Sequence, residues 1–134
     1  MQVVVVTHSL SPYQAELFNQ ISYFYNIKLD VIYLYRSDRS RSWTPPPAVH
    51  PAVYLDQKPD RFDEVRASLR AADLVVFNYY AERTAKMLLR ERVMGGHPWC
   101  FWGERPGFQK PEWLGRLRRR WKLACLHASP VPIW

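Results

Sequence analysis

At 134 residues the chain suits one compact domain, because two would each be too small to bury a sizeable core. Hydrophobic residues make up 48% and charged residues 23%, ordinary globular usage that excludes a disordered chain. The net charge is +7, and most of it lies in one stretch, where Arg105, Lys110, Arg116, Arg118, Arg119, Arg120 and Lys122 stand against a single acid, Glu112.

No apolar run approaches the roughly 20 residues of a membrane-spanning helix. Met1 and Gln2 lead into valines, without the basic start and small-residue cleavage site of a secretion signal, so the expected location is cytoplasmic, either free or peripheral at the inner face of a membrane. Cys100 and Cys125 lie far apart with neither zinc-site nor redox spacing, and are expected as buried free thiols.

The first element is a strand at residues 3–7, a β-branched run without polar alternation, as in a central parallel strand buried on both faces. A helix follows, with Ser11 as N-cap, Pro12 at its first position and Gln14 placed to close a capping box. Leu17, Phe18, Ile21, Phe24 and Tyr25 recur at helical spacing as its inward face. Residues 28–35 form a second strand, and residues 36–47 a polar loop ending in three prolines. A third, weak strand is predicted at residues 52–55.

Asp60 is expected to cap a short helix carrying Phe62, Val65 and Leu69 inward. A strand at residues 73–77 comes next, then a helix over residues 81–94 with Ala85, Leu88 and Leu89 inward and Gly95-Gly96 ending it. Residues 98–102 form the fifth strand, and residues 103–107 the turn that leaves it. Pro111 and Glu112 open a last helix whose apolar face carries Trp113, Leu114, Leu117, Trp121 and Ala124. Strands alternating with crossover helices predict an α/β fold: an open, mostly parallel Rossmann-like sheet with helices on both faces, spanning residues 1–134 as one domain.

Open parallel sheets bind ligands beyond the carboxyl ends of their strands, near the point where strand order reverses. That edge should carry His8, Ser9, Ser11 and Tyr13 after the first strand and Arg36, Arg39 and Arg41 after the second. Asn78, Tyr79 and Tyr80 follow the fourth strand, and Glu104 and Arg105 the fifth. A polar, aromatic rim of this kind suits a hydroxyl-rich ligand. Each residue also has a plainer role: Asn78 as a helix cap, Tyr79 and Tyr80 packed under a loop, His8 structural, and Glu104 and Arg105 solvated.

The loop after the first strand has no glycine, which argues against a dinucleotide fingerprint, and there is neither a P-loop nor a Gly-x-Ser-x-Gly elbow. No metal-ligand spacing occurs, so no bound metal is expected. Nor is any nucleic-acid module visible, and nucleic acid is not an expected partner. Arg116, Arg118, Arg119, Arg120 and Lys122 beside Trp113 and Trp121 fit either an anionic membrane surface or an ordinary solvated helix face.

The opening Val-Val-Val-Val-Thr-His-Ser-Leu-Ser-Pro-Tyr-Gln-Ala-Glu-Leu-Phe-Asn resembles the start of family 4 glycosyltransferases. Asp-Leu-Val-Val-Phe-Asn-Tyr-Tyr at residues 73–80 resembles their fourth strand, and Pro-Trp-Cys-Phe-Trp-Gly-Glu-Arg-Pro-Gly at residues 98–107 their fifth strand with its exit loop. The resemblance implies a GT-B architecture, with this chain as the N-terminal, acceptor-side domain, truncated before the domain that binds the nucleotide-sugar donor. No cofactor is then expected on this domain itself. The implied substrate is a glycan or lipid-linked saccharide acceptor, with His8, Ser9, Ser11, Tyr13, Asn78, Tyr79, Glu104 and Arg105 lining its cleft and no catalytic base assigned. The competing expectation is a free-standing flavodoxin-like or receiver-like binding module without catalytic activity.

Overall fold

The structure, a computed structural model, describes residues 1–37 and 47–103, with Leu117 and Trp121 as isolated helical positions. Its five strands are β1 (Gln2–Ser9), β2 (Lys28–Tyr35), β3 (Ala52–Tyr54), β4 (Leu74–Phe77) and β5 (Trp99–Phe101). They form one sheet in the order β3-β2-β1-β4-β5 with every neighbouring pair parallel. The helices are α1 (Pro12–Phe24), α2 (Phe62–Ala71) and α3 (Arg83–Met94). The fold is therefore the open, parallel, Rossmann-like α/β sheet expected from the alternation of elements.

The valines of β1 explain why it is the central strand. Val4 and Val6 point into a core shared with Val65, Leu69, Leu88 and Leu89 of α2 and α3, whereas Val3 and Val5 join Ala15 and Phe18 of α1 on the other face. Burying each such branched side chain contributes about 1.5–3 kcal/mol, so a strand apolar on both faces is stable only between two helical layers. The chain builds outward from β1 through β2 to β3, then returns across β1 to add β4 and β5 on the far side. With right-handed crossovers, this reversal places α1 opposite α2 and α3. It also makes the gap between the carboxyl ends of β1 and β4 the switch point of the sheet.

Ser11 caps α1 as expected, its Oγ accepting from the Gln14 N–H at 3.3 Å, with Pro12 at the first helical position. The Gln14 side chain does not reach back to complete a capping box; it donates to Asn78 Oδ1 at 3.1 Å. Phe24 and Tyr25 are exposed rather than inward. They are the last residue and the C-cap of α1, and Phe24 meets Tyr23 edge-on at 4.8 Å. Asp60 is not a cap: Pro59–Arg61 is a 3-10 turn, and α2 starts after it with Asp63 and Glu64 in its first turn. The helix after β4 begins at Arg83, its C-cap is Gly95, and Gly96 takes the left-handed φ of 66° that ends it. Cys100 is a free, half-buried thiol whose pKa burial raises. Of the predicted last helix only Leu117 and Trp121 are described; both are helical and both are exposed rather than buried on an apolar face. The rest of that helix, most of the 103–107 turn, Arg39, Arg41 and Cys125 lie outside the described residues.

The link from β2 to β3 has no helix among its described residues and is fastened by a buried relay. Asn19 on α1 accepts through Oδ1 from the backbone N–H of Val49 (2.9 Å) and His50 (3.2 Å) and from His50 Nδ1 (2.7 Å). With Nδ1 protonated, His50 Nε2 is the acceptor for the Tyr33 hydroxyl at 3.0 Å. His50 is 3% exposed, and burial lowers its pKa below the ordinary imidazole value of about 6.5. Burial likewise pushes the Tyr33 phenol well above its usual range.

Because His50 resists protonation in the folded state, the unfolded chain binds more protons as pH falls through about 6.5, and stability falls with it. The urea midpoint is expected to drop between pH 7.5 and 5.5, and His50→Gln should show a smaller drop. Equal slopes in the two proteins would show that His50 contributes nothing to the acid sensitivity.

Candidate functional site

The carboxyl edge of the sheet gathers its polar groups in two places. The first is the switch point itself. The backbone N–H of Asn78, directly after β4, donates to the Val6 carbonyl of β1 at 2.9 Å. Its side-chain Oδ1 accepts from the Thr7 hydroxyl (3.0 Å) and from Gln14 Nε2 (3.1 Å), while Nδ2 donates to the Trp102 carbonyl at 2.8 Å. Asn78 therefore ties β1, α1, β4 and the exit of β5 together. It does not cap α3, whose N-cap is Glu82. The crevice that a ligand enters in many open sheets is here occupied by a hydrogen-bonded amide.

The second cluster lies beside it, above β1 and β2. The His8 ring meets Tyr79 edge-on at 4.7 Å and Tyr35 at 5.2 Å, and its Nδ1 lies 3.2 Å from Ser9 Oγ. On the other side, His8 Nε2 is 3.8 Å from Glu82 Oε1, and Glu82 Oε2 accepts from the Tyr35 hydroxyl at 2.9 Å. Hydrogen bonding to the Glu82 carboxylate raises the Tyr35 pKa, which keeps the phenol protonated as a donor. Glu82 sits at the start of α3, where the helix dipole favours a negative charge. Three aromatic rings and one carboxylate thus share a partly exposed rim, the combination that stacks on and hydrogen-bonds a polyhydroxylated ligand.

A cleft of about 160 Å³ adjoins this cluster, lined by Leu34, Tyr35, Leu55, Asp56, Glu82 and Thr84. Both carboxylate oxygens of Asp56 accept from the Arg36 N–H, at 3.1 and 3.2 Å. The Arg36 guanidinium is turned onto Gln57 Oε1 (3.4 Å) and over the Tyr54 ring (5.9 Å from its centre).

Among the residues expected at the edge, His8 and Ser9 lie within β1, which runs on to Ser9 rather than ending at residue 7, and His8, Ser9 and Tyr79 are brought together. Ser11 is engaged as the α1 cap, and Tyr13 stands exposed on the first turn of that helix. Tyr80 packs against Phe101, with ring centres 5.3 Å apart. Glu104, Arg105, Arg116, Arg118, Arg119, Arg120 and Lys122 lie outside the described residues. Tyr35, Asp56, Glu82 and Thr84 were not anticipated. The available signal was positional: Tyr35 is the last residue of a predicted strand and so reaches the binding edge, and Glu82 precedes the first apolar turn of a predicted helix.

Among the described residues no group of three or more His, Cys, Asp or Glu side chains is gathered to hold a metal, and no helix is long and apolar enough to cross a membrane. Neither a protein-family model nor a curated protein matches the chain.

Proposed function

We propose that this domain is the acceptor-binding half of a glycosyltransferase of GT-B type, moving a sugar from a nucleotide-sugar donor to a glycan or lipid-linked saccharide. The observation that carries this reading is the His8–Tyr35–Tyr79–Glu82 rim at the carboxyl edge of a sheet ordered β3-β2-β1-β4-β5. The aromatic faces suit the C–H surface of a sugar ring, and the carboxylate and imidazole suit its hydroxyls. The glycine-free loop after β1 offers no phosphate cradle, which supports an acceptor role and leaves the donor to a second α/β domain. In this reading the rim orients an acceptor hydroxyl for attack and acts by positioning. Arg116, Arg118, Arg119, Arg120 and Lys122 would hold the protein at an anionic membrane surface on the cytoplasmic side, where lipid-linked acceptors are presented.

The test uses the full-length gene product. It is expected to transfer sugar from a nucleotide sugar to a saccharide, and His8→Ala should raise KM for the acceptor about tenfold or more while leaving KM for the donor unchanged. Absence of transfer with every common nucleotide sugar, or a His8→Ala effect confined to the donor, would overturn the proposal.

A further inference from the structure

We propose that the cleft between the carboxyl ends of β2 and β3 and the start of α3 is a subsite for a single pyranose unit that carries no anionic group, and that an amine-bearing pyranose binds there most tightly. The proposal rests on the acceptor reading and adds to it what the site selects.

Size is the first argument. About 160 Å³ lies below the roughly 300–1,000 Å³ of pockets that hold drug-sized ligands, so the cleft itself suits a single ring. The lining is mixed in the way a pyranose is mixed. Leu34 and Leu55 form an apolar floor, Tyr35 offers an aromatic wall, and Thr84, Asp56 and Glu82 supply polar atoms around it.

Hydrogen-bond capacity gives the second argument. An ionised carboxylate only accepts, and each oxygen has two lone pairs. Glu82 Oε2 takes one bond from Tyr35, and His8 Nε2, at 3.8 Å from Oε1, is too distant for a hydrogen bond. Among the described residues, Asp56 accepts a shared backbone N–H from Arg36 at its two oxygens and no other hydrogen bond. The cleft therefore presents acceptors in need of donors, and sugar hydroxyls or an ammonium group are donors of the right kind.

Charge gives the third. Among the described residues, the two ionisable groups of opposite character beside the cleft do not neutralise it: the Arg36 guanidinium is directed at Gln57 and Tyr54, and His8 Nε2 stays 3.8 Å from the Glu82 carboxylate. A uronate or sugar phosphate would bring a like charge towards two carboxylates, whereas a protonated amine would gain charge-assisted hydrogen bonds from them.

The test is a titration of this chain, followed by amide nuclear magnetic resonance at pH 6.5 and low salt, with glucosamine, glucose and glucuronate as probes. Tyr35, Asp56 and Thr84 amides are expected to shift with glucosamine at about tenfold lower concentration than with glucose, and to be unmoved by glucuronate. In the Asp56→Asn/Glu82→Gln double variant the glucosamine advantage should fall to about twofold or less. Should that variant fail to fold, Asp56→Asn alone, on an exposed turn, carries the same comparison with a partial loss. Glucuronate shifting the same amides as strongly as glucose, or glucosamine shifting only residues away from the cleft, would overturn the subsite. Glucosamine binding in the cleft without sugar transfer by the full-length product would sink the acceptor reading and leave the subsite standing. Transfer that proceeds only to uronate acceptors would do the reverse.

Discussion

Replacing Arg92 with methionine is expected to lower the free energy of unfolding by about 3–5 kcal/mol, a large share of the roughly 5–15 kcal/mol typical of a domain. Arg92 is 3% exposed, and its guanidinium donates to four backbone carbonyls. Nη1 reaches Leu69 (2.6 Å) and Arg70 (3.3 Å), Nη2 reaches Ala72 (2.8 Å) and Pro98 (2.8 Å), and Nε also reaches Pro98 (3.1 Å). Three of these carbonyls belong to the carboxyl end of α2 and its exit, where a helix leaves acceptors without internal partners and favours a nearby cation. The fourth begins the approach to β5. Burial lowers the Arg92 pKa, with Asp73 opposing, yet a guanidinium stays charged at any working pH. Methionine fills much of the volume but leaves two or three buried carbonyls unsatisfied, at roughly 1–3 kcal/mol each. Arg92→Lys keeps the charge without the planar fork and should lose an intermediate amount. Urea midpoints at constant slope read both values. A loss under about 1 kcal/mol for Arg92→Met would mean that water replaces the guanidinium and that the bonds have little net value.

Arg92 also marks where sequence reading stops. It falls on the helical repeat that places Leu88 and Leu89 inward, but a periodic pattern identifies apolar residues as core and has no means of reporting a buried arginine three of whose four partner carbonyls lie 20 or more residues away. The same holds for His50. Its neighbours Pro47 and Pro51 read as loop, and nothing local announces that Asn19 and Tyr33 converge on its two ring nitrogens. What was legible was what period and punctuation encode: the all-apolar β1, the Ser11 and Pro12 start of α1, the Gly95-Gly96 stop of α3 and hence the parallel sheet. The edge that should bear the site was legible too, because parallel topology fixes it. Its membership was only partly so. Tyr79 could be placed from its distance past a strand and His8 from its place near the end of β1, whereas Glu82 and Asp56 meet only in the assembled fold, where the ends of β2 and β3 and the start of α3 line one cleft, which is not written in any one segment.

Asn78 provides the second large effect and separates two roles that its position alone leaves open. As a rivet at the switch point it should be needed for stability: Asn78→Leu removes the acceptor for Thr7 and Gln14 together with the donor for the Trp102 carbonyl, and is expected to cost about 2–4 kcal/mol. Asn78→Asp is the sharper variant, since it keeps the shape and the acceptor side while setting a carboxylate oxygen against the Trp102 carbonyl 2.8 Å away. It should lose about 1–3 kcal/mol, more at neutral pH than at pH 4, where a protonated Asp can again donate. If Asn78 acted instead as a direct contact to a bound sugar, both variants would keep their urea midpoints and lose only ligand-induced shifts at the neighbouring amides. The geometry favours the first outcome because Oδ1 already accepts two hydrogen bonds and Nδ2 donates to Trp102, so of this amide one N–H is left for a ligand, and taking more would break bonds that hold β1, α1 and the β5 exit in register. A filled switch point also explains why the free polar capacity of this edge lies to one side, at Glu82 and Asp56.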